Sequence, residues 1–554
     1  MEKRLLLAAA LSVAVLVLWE VLAPKPPAPE PPARAVPASV PLPPEPQKSA
    51  PAAAAPSPAP SPAAAIPEVS ASQEERVVVD RPLYRAVFSN RGAVLVSYIL
   101  KKYDDDQGQP LEMVHIEPSV SSSDLSLDFG ADANATRAAN TSLYRVTRSH
   151  DGREEIRFLF AGAGRSIEKT FSFGDGYLIS TEVSCRGTAQ PFAVNLGPGL
   201  RNLSAKEKEN RFTGSSGAVY FDGERAHAVP HQKVDAIQQG TLPADGFVGL
   251  EDNYFLAVLV PEKAAGWKLE AVGDPKSKNG VEVRASAAGT HELKARLFIG
   301  PKDLDVLTAL NLHLEETVSF RTMGINLGWI AKALIWLLKA AHRYVVPNWG
   351  VAILIVTFLV RLLLFPLMHK SFVGMKKMQK LQPKINAIKD RYKKAKIDAE
   401  QRNKMNQEMM ALYQSEGYNP MSGCLPMVLQ MPVFFAFYVI LEKAIELRHA
   451  PFFFWIKDLS AKDPTYVLLI LMIASMFFQQ LMTPSTVDPA QRKMFLMMPL
   501  FWGFFLKDMP AGLVLYWLFS NLLGIAQQML INRMYRDEPA PAPVRKSKNA
   551  KARG

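Results

Sequence analysis

Five apolar runs of near membrane-spanning length crowd the C-terminal part of this chain, and they restrict that part to a helical membrane bundle. They are Trp349–Met368, Pro420–Leu441, Tyr466–Met482, Met494–Leu506 and Ala511–Ile531. A helix rises ~1.5 Å per residue, so about 20 apolar residues cross a ~30 Å hydrocarbon core. Lipid offers no partner for backbone N–H or C=O, which leaves helices as the way to cross with runs like these. Met494–Leu506 is short and needs tilt or local thinning of the bilayer. A sixth run, Leu5 to Leu22, follows Lys3 and Arg4. Its one passable cleavage site ends at Ala23 and is followed by Pro24, so residues 1–23 read as an uncleaved anchor.

The placement of charge orients the spans. The chain carries a formal net charge of +12. Between Lys370 and Asn419 stand twelve Lys or Arg against five Asp or Glu, and the tail after Ile531 holds seven against two. Basic loops stay in the cytoplasm. Six spans with both termini cytoplasmic keep every basic loop inside and export the region between the first span and the second. Gly328–Tyr344 is also apolar, but Lys332 and Lys339 share one face, with Trp329 and Trp336 flanking. Counting it as a seventh span would export the most basic loop, so it reads as an interfacial amphipathic helix within residues 323–346. In the loop 370–419, Met375, Met378, Leu381, Ile385 and Ile388 recur at helical spacing, as do Met405, Met409 and Leu412. Two amphipathic helices joined near Lys396 predict a hairpin.

Residues 24–76 form a Pro- and Ala-rich tether, in which dense proline removes backbone donors and forbids helix. From 77 to 322 the apolar period changes to two. Leu293, Ala295, Leu297 and Ile299 fall on one face with charges between them. Val77–Asp80, Arg85–Ser89, Glu155–Phe160, Ser166–Phe173, Leu178–Ser184 and Trp267–Val272 read alike. Many short strands with Gly, Asn and Asp punctuation indicate an antiparallel β-sandwich. Its histidines lack HExxH spacing, and neither GxSxG nor a phosphate-binding glycine loop occurs. The two cysteines, Cys185 and Cys424, fit no metal spacing or disulfide framework. No metal site, cofactor or enzymatic chemistry is read here.

Arg361 is the most informative residue of the membrane part, because a charge near the bilayer centre costs at least ~2.5–3.5 kcal/mol. Thr357 precedes it by one turn, and Gln430, Ser520, Asn521, Gln527 and Gln528 place polar groups in other spans. Together they predict a wet cavity inside the bundle. Each singly could be interhelical glue, and any single Met among Met427, Met431, Met472, Met476, Met497 and Met498 an ordinary lipid-facing or core residue. No intramembrane carboxylate accompanies Arg361, and no inverted repeat is visible, which disfavours a transporter. A tethered periplasmic carbohydrate enzyme is the other rival, but it needs neither five further spans nor a basic hairpin.

Several motifs then fall into one pattern. Asn348-Trp-Gly350, Arg361 with Pro366, Leu381-Gln-Pro-Lys384, Met409-Met-Ala-Leu-Tyr413, Asn419-Pro420, Gly423-Cys424 with Pro426, Gln430-Met-Pro432, and Gly512-Leu-Val-Leu-Tyr516 with Ser520-Asn521 resemble the YidC insertase signature. Phe298-Ile-Gly-Pro301 resembles the end of that family's periplasmic domain. The resemblance implies a bacterial inner-membrane protein: a bundle of six transmembrane helices, five forming an insertase core over residues 347–532, beside a periplasmic β-sandwich of supersandwich type. It implies a membrane protein insertase and chaperone, not an enzyme, working without a cofactor alone or with the Sec translocon. The implied groove residues are Arg361, Thr357, Gln430, Tyr516, Trp517, Ser520 and Asn521. Trp517 stands where relatives often carry a second Tyr, so any role for a phenolic hydroxyl at that position does not carry over. The implied partners are nascent membrane proteins, the bilayer, the translocon, and the ribosome through the hairpin and the basic tail 533–554.

Overall fold

The computed structural model describes residues 68–115, 123–150, 154–162, 164–188, 191–204, 207, 216–230, 238–262, 267–273, 281–287, 291–322, 325–392, 398–417, 425–482 and 489–534. The expected anchor, nearly all of the tether, the centre of the hairpin turn, Cys424 and the tail beyond Met534 lie outside them. Residues 65–487 and 494–554 form one compact unit. The other, 1–64 with 488–493, is described only over 489–493, the first turn of a helix.

The first part of the larger unit is built from antiparallel sheets. One has nine strands and runs from Ala226–Pro230 through Gly217–Phe221, Val248–Glu251, Phe255–Pro261, Glu292–Pro301, Leu178–Arg186, Arg165–Phe173 and Glu154–Gly162 to Arg145–Ser149. Four strands between Arg76 and Glu112 form a second sheet, and five between Leu127 and Ala287 a third. The period-two reading holds at side-chain level, since Leu293, Ala295, Leu297 and Ile299 are all buried. One core position breaks the polarity rule. Lys169 alternates with Ile167 and Phe171 on the buried face of Arg165–Phe173. Its ammonium donates to the carbonyls of Gly92 (2.8 Å), Ala93 (3.1 Å) and Leu125 (2.8 Å). The three acceptors satisfy the amine's donors without water, while burial pushes its pKa down to about 7.

The helices are α1 (Ala133–Thr141), α2 (Leu304–Ala309), α3 (Gly328–Tyr344), α4 (Trp349–Arg391), α5 (Ala399–Ser415), α6 (Leu425–Lys443), α7 (Val467–Met482), α8 (Pro489–Leu506) and α9 (Ala511–Met534). The stretch Trp349–Gly374 of α4 and the whole of α9 are long and apolar enough to cross a membrane, while Val467–Met482 and Met494–Leu506 are shorter apolar helices. α3 buries Ala331, Leu334, Ile335, Leu338 and Ala341 and exposes Trp329 and Trp336. Lys339 is not a free snorkelling charge: it bonds Asp305 at 2.6 Å and Glu446 at 2.7 Å.

The hairpin differs from its sequence reading in one respect. Its first arm is no separate helix, because α4 runs unbroken for 43 residues and contains both Pro366 and Pro383. Each proline removes one ladder donor, but the flanking turns and the packed stripe Leu381, Ile385 and Ile388 hold the helix together. Lys384 pairs with Glu416 at 2.5 Å, and Arg391 with Glu408, closing α4 onto α5.

Candidate functional site

The polar side chains of the membrane helices converge on α9. A 3.6-residue period places Tyr516, Ser520 and Gly524 on one face, and Ser520 and Tyr516 are both buried. Across from them on α4, the Arg361 guanidinium donates from Nε (3.0 Å) and from Nη2 (2.7 Å) to the Ser520 hydroxyl. Gly524 lies beside both helices: a Cβ there would stand 2.9 Å from the Gln479 amide of α7, too close, and 3.7 Å from Nη2 of Arg361, an ordinary contact. Among the described residues Arg361 makes no ion pair, so its charge is met by neutral dipoles alone.

Around this pair the remaining groups form short bridges. Gln430 on α6 donates its amide to the Tyr516 hydroxyl, and the Tyr516 ring stacks on Phe437 with centroids 4.3 Å apart. Asn521 donates to Ser475 at 3.2 Å, which in turn donates to the Met472 carbonyl at 2.7 Å. Trp517 meets Phe434 edge-on at 4.7 Å. One turn or more further on, Gln527 reaches the Phe365 carbonyl at 3.4 Å and Gln528 the Met482 carbonyl at 2.8 Å.

Of the seven groove residues expected from the sequence, the structure therefore gathers Arg361, Ser520, Tyr516 and Gln430 into one cluster, with Asn521 and Trp517 on the adjoining faces of α9. Thr357 is set apart. It is buried and its hydroxyl donates at 2.6 Å to the Ile353 carbonyl of its own helix, so it lends packing rather than a free hydroxyl. Sequence reasoning missed Ser475, Gln479 and Gly524. A signal existed for the first two, polar residues four apart on one face of an otherwise apolar run. For Gly524 none did, because only the approach of the Gln479 side chain from α7 gives it a reason.

The outward faces of α4 and α8 are apolar. α4 exposes Leu359, Leu362 and Leu363, and α8 exposes Met497, Met498, Leu500, Phe501, Phe504 and Phe505. A guanidinium has five donors in a planar fork, of which two are spent on Ser520. Chemically, the cluster can receive an anion or a polar segment, and no set of three or more His, Cys, Asp or Glu placed to hold a metal occurs among the described residues.

Two family models match the chain. Residues 340–538 match the "60Kd inner membrane protein" model and residues 76–337 the "YidC periplasmic domain" model. Among curated proteins, the membrane protein insertase YidC of Syntrophus aciditrophicus is 36% identical over 561 residues, covering 96% of this chain and all of the relative. That of Citrifermentans bemidjiense is 37% identical over 553 residues, covering 97% of this chain and likewise all of the relative. Among solved structures, an active YidC insertase with its first transmembrane domain resolved aligns at 18% identity with a TM-score of 0.36, over 84% of this chain and 94% of that one.

Proposed function

This chain belongs to the YidC family of membrane protein insertases, and from that premise we propose that it inserts clients through the polar cluster around Arg361. Membrane protein insertion is its function, and its place is the inner membrane with a periplasmic domain. The observation that carries the finer reading is the Arg361–Ser520 contact beside the Gln430–Tyr516 bridge: a part-buried charge with no acidic partner among the described residues. A client's polar flank exchanges water for these groups, which shortens its path through hydrocarbon. Its apolar helix then passes over the exposed Met and Phe side chains into lipid, a step favoured by ~25 cal/mol per Å² of apolar area. Thioether side chains adapt to many sequences. No nucleotide is required.

The same proposal assigns six spans with both termini cytoplasmic: an anchor (1–23), a tether (24–76), a β domain (77–322), an interfacial helix (323–346), a core (347–532) with its hairpin, and a basic tail. Hairpin and tail would meet the ribosome, and the core would cooperate with the Sec translocon and act as a chaperone in assembly. The topology has a direct check. Cysteine at the exposed Ser415 is expected to react with an impermeant maleimide from the cytoplasmic side only, and cysteine at Asp175 from the periplasmic side only. Periplasmic reaction at 415 would refute the six-span arrangement.

The functional test is reconstitution. The purified chain in sealed vesicles should render a single-span client protease-resistant without added nucleotide, whereas empty vesicles should not. Equal protection in both would remove the proposal. A photo-crosslinker at Gln430 should capture the client's flank, whereas one at the closed Thr357 should capture it less.

A further inference from the structure

The loop joining α6 to α7, residues 444–466, carries two exposed phenylalanines at its tip, whose ring contacts are with their own chain neighbours Phe452 and Trp455. Phe454 is 91% exposed and Phe453 50% exposed. Phe454 also holds a left-handed backbone, φ 56°, which a bulky side chain adopts only when its surroundings impose it.

Those surroundings are rigid. The tip closes on itself, with Phe452 N–H donating to the Ile456 carbonyl at 3.0 Å and Ile456 N–H to the Phe453 carbonyl at 3.2 Å. Asp458 accepts from the His449 and Ser460 backbones at 3.1 and 2.8 Å. Asp463 accepts from the Trp455 indole at 3.1 Å and the Leu468 N–H at 2.8 Å. The tip is therefore held outward by construction and not left over from disorder.

Its height along the bundle follows from one contact. The Phe452 ring packs on Gly350 so closely that a Cβ there would lie 2.1 Å from it, and Asn348 donates to the Phe452 carbonyl at 3.3 Å. Asn348 caps α4, so Phe452 sits level with the first turn of a membrane span. One or two residues further span at most ~7 Å. Phe453 and Phe454 thus lie at the bilayer boundary, where Tyr344, Trp349, Trp455 and Tyr466 also stand, and the exposed Val467, Ile470 and Leu471 of α7 continue the apolar surface into lipid. Aromatic side chains concentrate at this depth.

The base of the same loop grips the β domain. The Arg448 side chain is 4% exposed, donates to the Asp104 carbonyl at 2.7 Å, and lies 5.4 Å over the Phe255 ring. His449 pairs with Asp106 at 3.1 Å.

We propose that Phe453 and Phe454 insert into the phospholipid interface of the extracytoplasmic leaflet, making loop 444–466 a bracket that sets the height of the β domain over the bilayer. This rests on the proposed topology for the name of the leaflet, and on geometry alone for the insertion.

The test uses the full chain with Cys185 and Cys424 replaced by serine, in phosphatidylcholine–phosphatidylglycerol vesicles. A nitrobenzoxadiazole label is placed at Phe454→Cys, at Asp175→Cys as the aqueous reference and at Leu471→Cys as the lipid reference. A lipid nitroxide near the top of the acyl chain should quench position 454 about threefold more than position 175, and aqueous cobalt about threefold less. Equal quenching at 454 and 175 would overturn the proposal, as would shielding that appears only when a second membrane protein is added. Maleimide access to Asp175→Cys and Ser415→Cys reads orientation separately, so a reversed topology fails that control and leaves the depth result standing.

Discussion

Arg361→Ala is expected to slow insertion of clients with Asp or Glu in the translocated flank by about tenfold, and to leave clients with neutral flanks nearly unaffected. Tenfold corresponds to about 1.4 kcal/mol, modest for a charge contact in a half-buried site where the effective dielectric lies well below that of water. Desolvation of the client's carboxylate takes back part of the attraction, which is why a larger factor is not expected. Arg361→Lys should retain much of the rate, because the charge survives although the two-pronged contact with Ser520 does not. Ser520→Ala separates positioning from charge: the guanidinium stays but loses its anchor, and a smaller loss confined to acidic flanks is expected. The assay compares matched clients differing only in flank charge, alongside the amount of each variant in the membrane. Equal loss for acidic and neutral flanks would make Arg361 an interhelical strut, and no loss for either would make it a side chain that merely reaches water.

Arg201→Leu is expected to destabilise the β domain by about 3–5 kcal/mol, the usual result of removing one partner from a buried ion pair. Arg201 is 1% exposed and bonds Asp252 at 2.5 Å and Glu207 at 2.9 Å. Its removal strands the fully buried Asp252 carboxylate and loosens Glu207, which also faces Arg448 at 3.7 Å. The damage should therefore reach the bracket between the β domain and the membrane core. Denaturation of the full chain, followed by protease cleavage within 76–301, measures the first effect, and combining Arg201→Leu with Asp252→Asn should recover part of it. A shift in midpoint within error of wild type would refute this account. Burial alone would raise the Glu207 pKa, but Arg201 and the Ser204 backbone hold it down to about 2. A carboxylate depressed in the fold contributes stability above its unfolded pKa, ~4.3, and loses it as pH falls toward about 2. Glu207→Gln should flatten that part of the pH profile.

Much of the architecture was open to reading because it depends on local periodicity. Alternation in Glu292–Pro301 and Leu178–Arg186 follows from the pleat, and the apolar runs of α4 and α9 follow from the absence of water in lipid. The motif set from Asn348 to Asn521 carried the family, whose membership the full-length relatives establish. Helix boundaries were less accessible. The apolar run read as a span ends at Met368, yet the helix continues to Arg391, because charge marks where a helix leaves lipid and carries no signal for where it stops.

The residue types at the polar site were visible in the sequence, but their pairing was not. Arg361 and Ser520 are 159 residues apart, and nothing local says that one hydroxyl will take two of the guanidinium donors. Thr357 shows the converse: helical spacing put it beside Arg361, yet its hydroxyl turns back to its own helix. Nothing in the sequence marks Lys169 or Arg448 for burial, and in the structure distant backbone carbonyls, aromatic rings or carboxylates come to meet each of them. Periodicity and hydropathy are properties of neighbours along the chain, so the sequence alone determined the elements and the solvent each faces. Compensation of a buried charge needs partners from several elements at once, and that only the tertiary structure decided.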